Sequence, residues 1–404
     1  MSINILRKLE NTLDLKKTID LNNYSENNEI DFDGLHFKLN TSLEFHEKIG
    51  EGGLGEVYRG YLVGRNDKKE VAIKVSKKTN LEHLQREAHI AGQLKHDDIG
   101  EVLLYEEYNG KGMIIMEYID GRNLSKIMDK HKKFGLRMPQ KFAAFISRVC
   151  CDALKYAHNA KIYNEIGNKE VIGVIHRDIS PANIIINNNG SPKLVDFGLG
   201  IMSSELDNDE IGKIAGKIGF MAPEIINPEL IKGGKIDHRV DIYGLGATMD
   251  YLIRGKMSLL EKIPKSEELE LITNIKEAFN TEFKPLREEA YGIDEKFSNI
   301  IEKAKKIDRK KRYHSAFEMK EDLREYLFDD GLGTDRDRLK FYLDLIYTPG
   351  MITYLDEFKN GEKDIKFSPT LKNKVERIKK LMPYMVRNGK FCLETLKDSG
   401  YKTE

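Results

Sequence analysis

The sequence predicts an α+β chain of two unequal lobes followed by a helical C-terminal extension. Three observations predict it. Strand signals dominate residues 43–119. After residue 120 the apolar positions take helical spacing. Residues 335–404 then carry three amphipathic helical patches, broken by TPG at 348–350 and by Pro369. A small β-rich unit followed by a large helical one implies a cleft, the usual place for a ligand.

The elements follow in order. Leu6, Leu9 and Leu13 predict a short amphipathic helix within 1–21, and NNYSENNEIDFD at 22–33 is a polar, acidic linker. EFHEKIGEGGLGEVYRGYLV reads as strand, glycine turn and strand, and KEVAIKVS as a further strand. LEHLQREAHIAGQL is a helix with Leu84, Ala88, Ala91 and Leu94 on one side. GMIIMEYI is a buried strand ending in the turn DGRN. FAAFISRVCCDALKYAH, 142–158, is apolar and free of glycine and proline, which predicts a long helix. NAKIYNEIGNKEVIG reads as a hairpin turning at Gly167–Asn168, and 174–200 as short strands and loops. Further helices fit 240–253, 267–280, 295–306 and 315–328. The expected organisation is an extension over 1–42, a β-rich lobe over 43–119, a helical lobe over 120–330 and a helical extension over 331–404. There is no internal repeat.

Bulk properties narrow the function classes. A chain of 404 residues with 40% hydrophobic content folds into two or three packed units. Lys+Arg and Asp+Glu both number 66, so the formal charge is zero, which argues against nucleic acid or membrane as a partner. Cys150, Cys151 and Cys392 have no metal-binding spacing, and a reduced, cytoplasmic chain fits them best. No apolar run approaches a membrane span, and MSINILRKLENTLDLKK lacks a signal peptide's apolar core.

The chemistry is carried by a series of short motifs. Gly50, Gly52 and Gly55 in GEGGLGEV let a backbone approach phosphate oxygens, although a glycine-rich hairpin by itself is as often a plain turn. The β-like VYRGYLV that follows excludes a dinucleotide fingerprint, which opens a helix. Lys74 ends the apolar run VAIK, and burying its ammonium requires an anion. Glu87 on the next helix can hold it. HRDISPAN at 176–183 and DFG at 196–198 supply Asp178, Asn183 and Asp196. Asn183 and Asp196 are oxygen ligands of the kind Mg²⁺ takes alongside phosphates and water. That leaves Asp178 to receive a hydroxyl proton.

Glycine hairpin, strand lysine, helical glutamate, HRDxxxxN, DFG and APE at 222–224 occur in one order. In this the chain resembles the eukaryotic-type protein kinase family over roughly 43–328. DIYGLG at 241–246 and DRKKR at 308–312 agree with it. The resemblance implies a bilobal protein-kinase-like fold, with Asp241 bracing the catalytic loop and Arg312 pairing with Glu224. It implies ATP and Mg²⁺ as cofactors, with the adenine between Val57 and Ala72 above and Ile185 below. Met116 would be the gatekeeper, and the backbone of Glu117 and Ile119 would hydrogen-bond the base. The glycine hairpin covers the phosphates, Lys74 anchors the α- and β-phosphates, Asn183 and Asp196 hold Mg²⁺, and Asp178 orients the acceptor hydroxyl and takes its proton. The implied activity is serine/threonine protein kinase, acting on protein substrates, with autophosphorylation as a further reaction. Small-molecule kinases sharing the fold core generally lack APE and the late arginine.

One cation of the family pattern is missing. Serine/threonine members usually read HRDxKPxN, and here Ser180 stands in the lysine's place; the arginine of tyrosine kinases is replaced by Ala182. Lys217, in GKIGFMAPE where the family commonly has threonine, is the candidate substitute. HRDISPAN and the hairpin before it look like a bacterial subgroup of the family. In the activation segment, 199–221, Ser203 and Ser204 are the hydroxyls, and one of Glu205, Asp207, Asp209 and Glu210 could pair with Arg177 without phosphate. A kinase-fold binding protein is the competing reading, supported by Ser180 and Ala91 and opposed by the intact metal and base residues.

Overall fold

The computed structural model describes residues 18–20, 42–52, 55–64, 67–76, 81–108, 110–164, 169–197, 201–202, 218–227, 236–257, 277, 279, 286–289, 292–328, 335–348, 386–387 and 390–391. The chain divides into two compact units, Met1–Asp120 and Gly121–Glu404.

The first unit is a six-stranded antiparallel sheet with one helix. Strands β1 (Thr18–Asp20), β2 (Ser42–Gly52), β3 (Gly55–Val63) and β4 (Lys68–Ser76) are followed by helix α1 (Leu81–Gly92) and strands β5 (Val102–Tyr108) and β6 (Lys111–Glu117); the sheet order is β1-β2-β3-β4-β6-β5. Register decides which side chains share a face. Tyr58 opposes Ile73, which opposes Ile115, and Val75 opposes Met113; these join Leu43, Phe45, Val71 and Leu104 in one apolar cluster. The opposite parity places Val57, Ala72, Lys74 and Met116 together on the other face, since Val57 opposes Lys74 and Ala72 opposes Met116. Leu84, Ala88, Ala91 and Leu94 are all buried, as the helical spacing predicts.

The second unit begins with β7 (Gly121–Asn123), α2 (Leu124–Lys133) and α3 (Gln140–Asn159). GRN is therefore a strand rather than part of a turn. It pairs with Ile185, Ile186 and Asn187, and the Asn123 side chain caps α2 by accepting the Lys126 N–H. The hairpin β8 (Lys161–Asn164) and β9 (Lys169–Ile172) lies where the sequence predicts one. Next come β10 (Val174–Ile175), a 3₁₀ turn at Pro181–Asn183, β11 (Ile184–Asn187), β12 (Pro192–Leu194) and β13 (Ile201–Met202). Strands β12, β11 and β7 form a small sheet, and β10 pairs with β13. The helices continue with α4 (Pro223–Ile226), α5 (Arg239–Arg254), α6 (Leu286–Glu289), α7 (Glu295–Ala304), α8 (Ala316–Phe328) and α9 (Arg336–Tyr347). Helix α5 is buried all round from Val240 to Arg254 and ends on Gly255 in the left-handed region (φ 72°), which closes the last turn at no Cβ cost. Asp294 and Asp335 cap α7 and α9 through their carboxylates.

Both terminal extensions depart from the helical expectation. Thr18–Asp20 pairs with Ser42–Glu44 as an edge strand, and the Leu6–Leu13 stretch and the linker at 22–33 lie outside the described residues. In the C-terminal extension α9 is helical, but Val386–Arg387 and Lys390–Phe391 form a two-stranded ladder, β14 and β15. Periodicity over so few residues does not separate the two states; a partner strand does. The basic stretch 372–380 is outside the described residues, and of 267–280 only Glu277 and Phe279, both helical, are described. Among the described residues no helix is long and apolar enough to cross a membrane.

Candidate active site

In the first unit Val57, Ala72, Lys74 and Met116, of the predicted groups, fall on one face of the sheet. Gly50 lies opposite Val57, and Gly52 opposite Gly55, at the neck of the β2–β3 hairpin. Gly53 and Leu54 at its tip are outside the described residues. The glycines have different physical grounds. A Cβ on Gly55 would strike the Val75 carbonyl, so close strand approach requires glycine there. A Cβ on Gly50 would meet only Val57 Cβ, at 3.8 Å, so internal packing does not demand glycine there.

Lys74 is buried at 6% exposure, and its Nζ donates to Glu87 Oε1 at 2.6 Å. Strand β4 and helix α1 are thus joined by a buried ion pair, the pairing that the sequence led us to expect. The Glu117 N–H donates to the Glu101 carbonyl at 2.8 Å, so a hydrogen bond from that residue to a base would use its carbonyl. Ile119 lies just past the strand and is half-buried, as are Met116 and Val57.

In the second unit the HRD segment is fixed from behind. Asp241, at the start of α5, is buried, and its carboxylate accepts three N–H groups. Oδ1 takes the Arg177 N–H at 2.8 Å; Oδ2 takes the His176 N–H at 2.9 Å and His158 Nε2 at 2.8 Å. Burial pushes the Asp241 carboxyl up, but the His158 hydrogen bond and the nearby His158 and His176 outweigh it, so it sits below its ordinary range. The His158 contribution was not expected from sequence; its only signal was YAH at the end of the long helix. His176 Nε2 donates to the Val195 carbonyl at 3.1 Å, which leaves Nδ1 to accept the Asp178 N–H at 3.2 Å. Its ring lies 4.4 Å from Phe197 of the DFG motif.

Asp178 and Asn183 are built as a pair. Asn183 Nδ2 donates to the Asp178 carboxylate at 2.8 Å and to the Asp178 carbonyl at 2.9 Å. A carboxylate only accepts, so the amide orientation is fixed and Oδ1 is the atom presented elsewhere. Asp196 follows β12 with an exposed carboxylate. Arg177 and Asp196 are the non-glycine residues with positive φ, 66° each, among those described. Backbone strain of this kind persists where surrounding structure holds it, and here both cases flank the candidate catalytic groups. One amide oxygen and one carboxylate suit Mg²⁺, which keeps several ligands for water and phosphate. Ile185, in β11, is half-buried and opposes Asn123.

Ser180 is fully buried, and its carbonyl accepts the Asn183 N–H at 3.0 Å. Arg312 forms a two-pronged pair with Glu224 of APE at 2.6 and 2.7 Å. Lys217, Ser203, Ser204 and the acids from Glu205 to Glu210 lie outside the described residues.

Residues 43–323 match the family model described as protein kinase domain. Among curated relatives, the chain is 30% identical over 279 residues to "Tyrosine-protein kinase MasK" of Myxococcus xanthus, covering 67% of this chain and 40% of that protein. It is 32% identical over 232 residues to "Probable serine/threonine-protein kinase PknB" of Corynebacterium glutamicum, covering 54% and 32%. These alignments thus span well under half of the relatives' own lengths. Among solved structures, the PknI kinase domain of Mycobacterium tuberculosis is similar in fold, with a TM-score of 0.50 and 23% identity over 70% of this chain and 95% of that one.

Proposed function

The chain belongs to the protein kinase domain family, and from that premise we propose that it is an active serine/threonine protein kinase, bacterial and cytoplasmic, that uses ATP and Mg²⁺ and acts on protein hydroxyls, its own included. The observation that carries this reading is the Lys74–Glu87 pair, made at 2.6 Å inside the first unit. An unpaired ammonium there would be costly, and a kinase-fold protein retired from catalysis has no chemical need to hold one on the sheet face with Ala72 and Met116.

ATP with Mg²⁺ supplies a transferable γ-phosphoryl group whose charge the metal partly neutralises. Lys74, steadied by Glu87, offers a fixed cation to the phosphate oxygens. Asn183 Oδ1 and the Asp196 carboxylate would hold the metal. Asp178 accepts the proton of the attacking hydroxyl, and its hydrogen bond from Asn183 aims it in one direction. The absence of the tyrosine-kinase arginine at Ala182 supports serine and threonine as acceptors. Lys217 is proposed as the cation that replaces the lysine missing at Ser180.

Incubation with labelled ATP and Mg²⁺, with and without a generic protein acceptor, tests the reading. Phosphoserine and phosphothreonine are expected in the acceptor, and Lys74→Met and Asp178→Asn are expected to lower the rate by at least about 10²-fold. Absence of transfer by the wild-type chain favours a binding protein, and phosphotyrosine alone overturns the acceptor assignment. Lys217→Met is expected to lower the rate about 10- to 100-fold, as loss of one transition-state cation does; a rate within a few-fold of wild type removes Lys217 from the mechanism.

A further inference from the structure

Helix α9 lies beyond the stretch that matches the family model, yet it is built into the second unit. Leu339, Tyr342, Leu345 and Ile346 are buried. The Tyr342 hydroxyl donates to His131 Nε2 at 2.7 Å, and its ring lies 4.9 Å from that of Phe142. The direction of that bond follows from the other ring nitrogen, which is 2.8 Å from the Ile127 carbonyl and must donate. At one end of α9 the Arg336 carbonyl rests against Gly190, where a Cβ would strike it; Gly190 also has a φ of 81°. At the other end the Tyr347 ring lies under the Arg122 guanidinium, 4.2 Å from the ring centre.

Both ends touch the same small sheet. Gly190 is in the turn joining β11 to β12, and Arg122 is in β7, opposite Ile186 of β11. Asn183 immediately precedes β11 and Asp196 follows β12, and the Val195 N–H donates to the Asn183 carbonyl at 2.9 Å. This sheet is the common mount of the two metal-ligand candidates. Asp178 has a second mount besides Asn183, on His176 and the loop that Asp241 holds. Strands of three and four residues do not hold a geometry alone, so what packs on them sets it.

We propose that α9 is a positioning element for metal binding: its docking through Tyr342, Gly190 and Arg122 holds the β12-β11-β7 sheet in the geometry that sets Asn183 and Asp196. The proposal rests on the function argued above. It predicts that loosening α9 weakens metal binding and loosens β11 and β12.

The test uses the full chain with Mn²⁺ as a paramagnetic probe in the presence of a non-hydrolysable ATP analogue. Mn²⁺ binding is read by electron paramagnetic resonance, and amide hydrogen exchange is followed at 184–187 and 192–195. Tyr342→Ala and Gly190→Ala are expected to raise the half-saturating Mn²⁺ concentration about 3- to 10-fold, less than the roughly 10- to 100-fold lost when a group bonded directly to a metal ligand is removed, because α9 acts through the sheet. Exchange in β11 and β12 is expected to quicken. Tyr342→Phe, which keeps the ring, is expected to stay within about two-fold of wild type. Wild-type Mn²⁺ binding and exchange in a folded Tyr342→Ala protein would overturn the proposal. If Tyr342→Ala and Gly190→Ala do not fold, the surface change Arg122→Gln decides: a shift in the same direction supports it, and no shift in either readout overturns it. A wild-type chain that binds no Mn²⁺–nucleotide sinks the function reading itself, and this inference with it.

Discussion

Asp241 shows how much one buried side chain decides. Its carboxylate accepts from two consecutive backbone N–H groups and from His158, so every bond requires an acceptor. Asp241→Asn keeps the shape but turns one oxygen into a donor facing a donor. The expected result is a folded protein destabilised by about 1–3 kcal/mol, the range for a lost hydrogen bond to a buried charged group. Urea unfolding measures it, and a stability equal to wild type would mean that the loop is held by other contacts. The sequence named Asp241, Asp178 and Asn183 because ordered motifs identify residues. It did not name His158 as a third donor, because nothing in a linear string says that the end of α3 returns to the start of α5.

Among the elements, the β2–β3 hairpin carries a device that residue types alone hide. Glu51 and Glu56 are directly opposed across its neck, an arrangement that destabilises a strand pair. Lys48 relieves it, with Nζ 2.7 Å from Glu51 and 2.5 Å from Glu56, and Glu56 also accepts the Tyr58 hydroxyl at 2.8 Å. The cluster is partly exposed, so its value to overall stability is small, but it sits beside Gly50 and Gly52. Lys48→Met is expected to raise the KM for ATP about 2- to 5-fold with kcat little changed, because the like charges would splay the hairpin without touching the chemistry. Lys48→Arg should restore the wild-type KM. A fall in kcat at unchanged KM would place the residue in a different role. The hairpin itself was legible from its glycines and alternating strands, whereas the opposition of the two glutamates depends on register, which bulges shift.

At the scale of the whole molecule, acid should loosen the second unit through His131. Its ring is fully buried beside Ile127 and Tyr342, and burial pulls its pKa down to about 4, against which the Ile127 carbonyl works only partly. The unfolded chain, with an ordinary histidine pKa near 6.5, therefore binds the proton first. The contribution is intact above about pH 6.5 and is lost as pH falls towards about 4, where the loss amounts to about 3 kcal/mol. Urea unfolding between pH 7 and pH 4.5 should show stability falling with pH, and His131→Gln should flatten that slope. An equal slope in the variant would assign the acid sensitivity elsewhere. Asp241 acts in the same direction but at lower pH, since its carboxyl lies below its ordinary range and protonates later.

The amino-acid sequence determined the α+β class, the long apolar helices and the identity of the catalytic candidates, because periodicity, glycine placement and motif order are properties of the chain itself. Lys74 with Glu87 was pairable from the residues themselves and Arg312 with Glu224 from the family pattern, and tertiary structure closed both at 2.6 Å. Only the tertiary structure decided that GRN is a strand, that Thr18–Asp20, Val386–Arg387 and Lys390–Phe391 are strands within extensions expected to be helical, and that α9 rests on the sheet flanked by Asn183 and Asp196. The physical reason is common to all of these. A short segment of mixed character has no strong preference of its own, and the backbone partner that takes up its hydrogen bonds lies far away in the chain.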